Sequence, residues 1–328
     1  MGQDADAAIA EAAEVIKRGG LVAFPTETVY GLGADAFRPE AVAKVFQAKG
    51  RPSDNPLIIH VAEISQFHEI GKNIPALALQ LAERFWPGPM TLVVEHRGNV
   101  PPIVTADLPT AAIRIPNHHV ALQLIRKASR GIVGPSANLS GKPSPTTAQH
   151  VYDDLNGKVD IILDSGPTTI GIESTVIDVT SEPFTVLRFG GLTIEEIENV
   201  VGGVITTSTD DLSKRSPGTR HRHYAPHAHV ELIPEGDTKH FLQSLEHHRK
   251  RRENIGCIVH SNELSFQQSS KHLFIISVQA RDYANSLFKL LRTLDERGVD
   301  IILVETISEH GLGAAIMDRL RKASDQKL

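Results

Sequence analysis

From residue 229 to residue 322 the chain alternates short apolar runs with helix-patterned segments, and this rhythm constrains its fold more than any other feature. Strands are expected at 229–233, 255–259, 273–277 and 300–304, and helices at 238–250, 282–297 and 312–322. Strand, helix and strand in succession join most readily as parallel crossovers. The expectation is a small three-layer α/β domain with a largely parallel sheet, for which about 100 residues suffice.

The first 205 residues lack that strict rhythm. Ile9, Ala12, Ala13 and Ile16 have helical spacing, closed by Gly19-Gly20. Leu21–Phe24 reads as a strand that stops at Pro25, and Glu40–Ala48 as a helix with Pro39 in its first turn. Further strands are expected at 57–61, 91–95, 111–115, 132–133, 161–164, 174–179 and 185–187. Helices are expected at 76–85, 118–129, 146–155 and 193–200. Some connections are short enough for antiparallel neighbours, so a mixed, twisted sheet packed with helices follows. Residues 206–222 are polar and basic and carry Pro217-Gly218, which reads as a linker. The division expected is a domain over 1–205, a linker over 206–228 and a small domain over 229–328.

The 328 residues, 41% of them apolar, suffice for two domains. A net charge of -5 argues against a strongly basic nucleic-acid binder. The single cysteine, Cys257, excludes an intrachain disulfide and a cysteine zinc site, and reads as a small buried residue. No apolar run approaches the roughly 20 residues that span a bilayer. The start has no secretion pattern, and Asp6 stands where myristoylation wants a hydroxyl. A soluble, cytoplasmic protein without a membrane partner is expected.

Three clusters carry the chemistry. The first is Phe24-Pro25-Thr26-Glu27-Thr28-Val29-Tyr30-Gly31-Leu32-Gly33, just past a strand end, where α/β proteins place ligands. Its glycines lie too far from the strand for a dinucleotide fingerprint and read as flexible backbone. In the second, Lys49 and Arg51 bracket Gly50 at a helix C-terminus, before Pro52-Ser53-Asp54-Asn55-Pro56 and His60. It is either a charged helix end or a phosphate clamp made of a point charge and a planar fork. The third is Gly134-Pro135-Ser136-Ala137-Asn138-Leu139-Ser140-Gly141, with Lys142 to Thr146. Free backbone amides there would make an anion nest. It fits neither a Walker loop nor a nucleophile elbow. Arg114, inside an apolar strand, needs a carboxylate from the fold or from a ligand. Glu173-Ser174-Thr175 and Arg188 open and close further strands.

The segments FPTETVYGLG, KGRPSDNPLIIH, GPSANLSGKPSPT, GIESTVID and VLRFGG, in this order over about residues 7–205, resemble the YrdC-type threonylcarbamoyl-AMP synthases. SPGTRHRHYAPHAHV resembles the linker of the two-domain form. The resemblance implies a YrdC-like twisted mixed sheet with helices, plus a small Rossmann-like three-layer C-terminal domain. It implies an enzyme that joins L-threonine, bicarbonate and ATP into threonylcarbamoyl-AMP and pyrophosphate for a transfer-RNA modification. Downstream threonylcarbamoyl-transfer proteins, and weak contact with RNA, are the partners it implies. By resemblance, Thr28, His60, Arg114 and Ser174 hold threonine. Lys49, Arg51, Asn55, Thr110, Ser136, Ser144 and Arg188 hold ATP, with Asn138 on or behind its phosphates. Lys49 and Arg51 supply the catalytic charge. ATP brings Mg²⁺, which its own phosphates would mainly hold; Glu27 and Glu173 are the carboxylates to watch. Arg222, His223 and Tyr224 are expected to form a lid. Gly134 stands where Ala or another small residue is expected, and Thr219-Arg220-His221 replaces a Met-Lys-Tyr-like run.

Two other functions compete with this one. An RNA-binding module would bind in a salt-dependent way without ATP turnover. A carbamoyl-phosphate-dependent carbamoyltransferase, as in hydrogenase maturation, would need zinc-finger segments that one cysteine cannot supply. The histidines of the linker, His221, His223, His227 and His229, make a zinc site conceivable, but the lid reading takes precedence.

Overall fold

The computed structural model describes residues 3–128, 131–202, 206–207, 224–260 and 271–324. They fall into two compact units. One comprises the described residues of 1–140 and 144–221, the other those of 141–143 and 222–328.

Among the described residues of the first unit, ten strands form one mixed sheet. They are β1 (Val22–Phe24), β2 (Gly31–Asp35), β3 (Ile58–His60), β4 (Met90–Glu95), β5 (Thr110–Arg114), β6 (Ile132–Val133), β7 (Ile161–Ile162), β8 (Thr175–Asp178), β9 (Thr185–Arg188) and β10 (Thr206–Thr207). The order is β10-β9-β8-β4-β5-β3-β6-β2-β1-β7. β3–β5 and β4–β8 pair parallel, whereas β1–β2, β4–β5 and β8–β9 pair antiparallel. The expected mixed sheet is therefore present. Thr206–Thr207 extend it into the segment read as linker. Residues 208–222 of that segment lie outside the described residues.

Residues opposite one another in a sheet share a face. The registers put Ala23, Leu32, Ala34, Val133, Ile59, Ile113, Leu92 and Ile177 on one face. All belong to one apolar core, together with buried residues of helices Pro39–Lys49, Ile64–Ile70 and Ala76–Phe85. The opposite face is divided. At one end Val22, Phe24 and Ile132 join the core made with helices Gln3–Lys17 and His119–Ala128. Toward the other end, the same face presents His60, Arg114, Thr91 and Arg188 around a small apolar floor of Ile58, Val93, Ala112, Val176 and Leu187. A polar face on a buried sheet has to be occupied by something other than a packed helix.

β2 corrects the reading of Gly31-Leu32-Gly33 as flexible backbone: it is a strand, and its glycines serve space. A Cβ on Gly31 would stand 2.8 Å from Cζ of Phe24, and one on Gly33 3.2 Å from that ring. The Phe24 ring lies across the bare backbone. Helices Ile64–Ile70 and Pro102–Thr105 also fall where no element was expected.

The second unit bears out the rhythm read from its sequence. β11 (His229–Ile233), β12 (Ile255–Val259), β13 (Leu273–Ser277) and β14 (Ile301–Glu305) form a sheet in the order β11-β14-β12-β13, and every pair is parallel. Helix Thr238–Lys250 follows β11, Tyr283–Glu296 follows β13 and Gly313–Ala323 follows β14. Cys257 is buried in this core, which pushes its thiol pKa up to about 12. No helix among the described residues is long and apolar enough to cross a membrane.

Gly31→Ala should destabilise the protein by about 1–3 kcal/mol through overpacking against Phe24. Chemical denaturation checks this. In a double-mutant cycle, Phe24→Leu should recover part of the loss; simple additivity would show that the ring is not the obstacle.

Candidate active site

Arg114 closes β5 and is 3% exposed. A guanidinium taken out of water there must be matched by charge and by acceptors. Its Nη2 lies 2.7 Å from Oε1 of Glu27. Nη1 donates to Oγ1 of Thr28 at 2.9 Å, and Nε to the Gly88 carbonyl at 3.1 Å. The partner left open by the sequence is thus a carboxylate of the fold. Thr28 Oγ1 is within 2.8 Å of Thr26 Oγ1, so the first motif is wired to the guanidinium through hydroxyls.

His60 sits opposite Arg114 in the parallel β3–β5 register. Burial and the Arg114 cation hold its pKa down at about 3, so the ring is neutral across ordinary pH. Its Nδ1 is buried with no hydrogen-bond partner. Gly134 makes room for it, since a Cβ at that position would lie 2.6 Å from this nitrogen.

Lys49 ends helix Pro39–Lys49, and Gly50 caps the helix with a left-handed φ of 62°. The chain then turns toward Arg51, which donates from Nη2 to the Pro56 carbonyl at 3.1 Å. The Lys49 ammonium is buried among the Ser136 carbonyl at 2.5 Å, the Asn138 carbonyl at 2.7 Å and Asn138 Oδ1 at 3.4 Å. Burial and, next, the Arg51 cation push its pKa well below the ordinary lysine value, while Asp154 pulls it back up. Three acceptors match the three donors of an ammonium, so the pocket is shaped for the charged form.

The anion-nest reading of the third motif needs correction. The amides of Ala137, Asn138 and Ser140 already donate to the carbonyls of Tyr30, Ser136 and Lys49. Those three amides are not open to a ligand, to which the loop also offers side chains and the charge of Lys49 behind them.

Ser174, 1% exposed, shares a hydrogen bond with Thr91 Oγ1 at 2.8 Å. Arg188 donates from Nη2 to the Ser174 carbonyl at 2.9 Å and to its hydroxyl at 3.2 Å. Ser144 donates to Glu173 at 2.5 Å. Backbone bonds from Tyr30 to Pro145, and from Ile170 and Gly171 to Glu27 and Thr28, draw these segments to the first motif.

The expected residues therefore gather in linked groups. Thr28, His60 and Arg114 stand at one end, with Ser174, Arg188 and Ser144 joined to them through Thr91 and Glu173. Lys49, Ser136 and Asn138 form a second group. Thr110 is set apart: it opens β5, roughly 13 Å along the strand from Arg114. The β3–β5 register puts it toward Pro56, the residue Arg51 holds, with buried Asn55 beside it. The group is elongated, with its amino-acid candidates and its outlying nucleotide candidates at opposite ends of one strand. Sequence reasoning missed Thr91; its one signal was a lone hydroxyl in an apolar strand. It also missed the pairing of Glu27 with Arg114. Of the expected lid, Arg222 and His223 lie outside the described residues. Tyr224 is packed inside the second unit, its ring stacked on Phe288 at 5.3 Å and under the Arg319 guanidinium.

A family profile described as "Telomere recombination" matches residues 14–190, and one described as "Threonylcarbamoyl-AMP synthase, C-terminal domain" matches residues 192–325. A threonylcarbamoyl-AMP synthase of Pyrococcus abyssi is 46% identical over 97% of this chain and 94% of its own. This chain belongs to the threonylcarbamoyl-AMP synthase family. A synthase of Bacillus subtilis is 42% identical over 97% of this chain and 93% of its own. The crystal structure of P. abyssi Sua5 complexed with L-threonine superposes with a TM-score of 0.90 at 46% identity, covering 97% of this chain and 94% of that one. The chain is an enzyme of that family, with its two-domain architecture.

Each carboxylate singled out for a metal already faces a group of the fold. Glu27 faces Arg114 and Glu173 accepts from Ser144. Among the described residues no group of three or more His, Cys, Asp or Glu is placed to hold an ion.

The neutral burial of His60 has a pH signature. The unfolded imidazole takes up a proton below its ordinary 6.5, whereas the folded one waits until about 3. Its contribution to stability is full above 6.5 and is lost as the pH falls toward 3. Urea unfolding between about pH 6 and pH 4 should show a loss shallower in His60→Gln than in the wild type, by up to about 1.4 kcal/mol per pH unit. Equal slopes would mean that His60 is charged in the fold.

Proposed function

We propose that this chain makes L-threonylcarbamoyl-AMP and pyrophosphate from L-threonine, bicarbonate and ATP, and so activates the group that modifies transfer RNA. The observation that carries the reading is the buried Arg114 on the polar face, joined to Thr28 and flanked by neutral His60. A guanidinium so placed recognises an amino-acid carboxylate. Full-length likeness to threonylcarbamoyl-AMP synthases supports threonine as that amino acid.

The chemistry divides along the sheet. The threonine amine adds to bicarbonate with loss of water and gives a carbamate. A carbamate oxygen attacks the α-phosphorus of ATP, and the bond to the β-phosphate oxygen breaks to release pyrophosphate. The nucleophile is already ionised, so the protein's task is positioning and charge neutralisation. Arg114, Thr28, His60 and Ser174 hold threonine. An incoming carboxylate shares the guanidinium with Glu27, which fixes the approach. Arg51 offers a planar fork to phosphate oxygens. Lys49 adds positive potential through the 136–138 loop that it holds. Asn55, Thr110, Ser136, Asn138, Ser144 and Arg188 complete the nucleotide's surroundings. Mg²⁺ would arrive on the ATP phosphates, since no carboxylate cluster among the described residues is placed to hold it. The adenylate then passes to proteins that transfer the group to RNA.

Pyrophosphate release should require threonine and bicarbonate together. Arg51→Ala should lower kcat at least tenfold. Lys49→Ala should do the same and Lys49→Arg less, while Arg114→Ala should chiefly raise the KM for threonine. Release indifferent to threonine, or none from folded protein with every substrate present, would sink the reading.

A further inference from the structure

Helix Thr238–Lys250 of the second unit runs out into four consecutive cations, Arg249-Lys250-Arg251-Arg252, preceded by His247-His248. This is a dense basic run in a chain whose net charge is -5. All four cations are exposed. A helix C-terminus favours one or two cations through its dipole. Here the charge continues past the helix end. Arg252 has a left-handed φ of 61°, in the turn where glycine or asparagine is the ordinary choice. An arginine that accepts this backbone is placed for its side chain.

Two grooves explain the placement. One, of about 930 Å³, is lined by Arg251 and Arg252 and by the carboxylates Glu253, Asp295 and Asp300 at the amino ends of β11, β12 and β14, and Asp295 is paired with His227 at 2.8 Å. The other, of about 550 Å³, is lined by Arg249 and Arg252 with Glu253 and His272. Arg252 and Glu253 line both. Lys250 pairs with Glu246 at 2.8 Å at the surface, where such pairs are weak and exchangeable, and Arg251 pairs at 2.8 Å with the half-buried Glu253, which His248 also holds. No carboxylate lies within ion-pair distance of Arg249 or Arg252 among the described residues. Exposed Lys271 and His272 extend the basic strip beside the second groove.

We propose that this strip docks the phosphate backbone of RNA. The cations are strung over two grooves rather than turned on one point, which suits a chain of repeated phosphates and not a single small anion. Guanidinium forks and imidazoles are the groups that grip phosphate oxygens. A membrane surface would need an apolar face, and Leu242 is the one large apolar side chain exposed among the described residues of this unit. An acidic protein partner would want an apolar centre to the patch, which is likewise missing. The geometry belongs to the second unit and is independent of the catalytic reading; the choice of transfer RNA as probe rests on that reading.

The test is fluorescence anisotropy of the full chain with an unmodified transfer-RNA transcript at about 50 mM and about 200 mM salt. Arg249→Gln combined with Arg252→Gly should weaken binding about tenfold or more at the lower salt. Glycine keeps the left-handed turn. The slope of log affinity against log salt should fall by about two. Pyrophosphate release with free threonine should not change. The proposal is overturned if the wild type fails to bind the transcript at the lower salt, or if the variant binds as well as the wild type. It is also overturned if polyglutamate or phosphatidylserine vesicles are bound more tightly than the RNA. Absence of pyrophosphate release from wild-type protein that binds the transcript would instead tell against the catalytic reading alone.

Discussion

A buried guanidinium is the constraint about which the first unit is organised. Removing a charge from water costs several kcal/mol even after relaxation, so Arg114 needs a carboxylate, a hydroxyl and a carbonyl in fixed places. Glu27, Thr28 and Gly88 supply them from two loops distant in sequence. Once those loops are pinned, the Thr26–Thr28 hydroxyls fix the first motif and the backbone of Tyr30 pulls in the third. Burial, and after it the same charge, keeps the neighbouring imidazole neutral. One interaction thus sets the shape and the electrostatics of the polar face.

The sheet makes this arrangement affordable. Its other face, among the described side chains, is apolar but for Thr175 and carries the larger core, so the fold does not depend on covering the polar side with a helix. Where that side is apolar, two helices cover it. Where it turns polar, a short floor of aliphatic side chains remains between charged and hydroxyl groups. A small-molecule site commonly has this make-up, with a few convergent polar groups over apolar lining.

Much of this was legible because strands and helices leave different periods in a sequence. The second unit was read almost residue by residue, since β-branched runs alternate there with well-patterned helices. Gly31–Asp35 was missed because a glycine-rich segment has no strand propensity, and the Phe24 ring that makes it a strand lies on another element. Ile64–Ile70 and Pro102–Thr105 were too short, or too rich in proline, to show a helical period. In the site, hydroxyls and cations clustered at strand ends were visible as motifs. The pairing of Glu27 with Arg114 was not, because it is a product of tertiary proximity. Nor could the sequence tell that the amides of Ala137, Asn138 and Ser140 are already occupied; a polar loop with free amides and one with paired amides have the same composition.

The seat of Lys49 has a consequence for how this family can vary in length. The amine reaches the 136–138 loop because residue 49 falls on one particular side of the helix that begins at Pro39. Each residue added to or removed from that helix would turn its end by about 100° and shift it by about 1.5 Å. The lysine would then swing off the loop even though every motif stayed intact. The helix therefore acts as a spacer of fixed phase, and lineages can lengthen the loops around it far more freely than the helix itself.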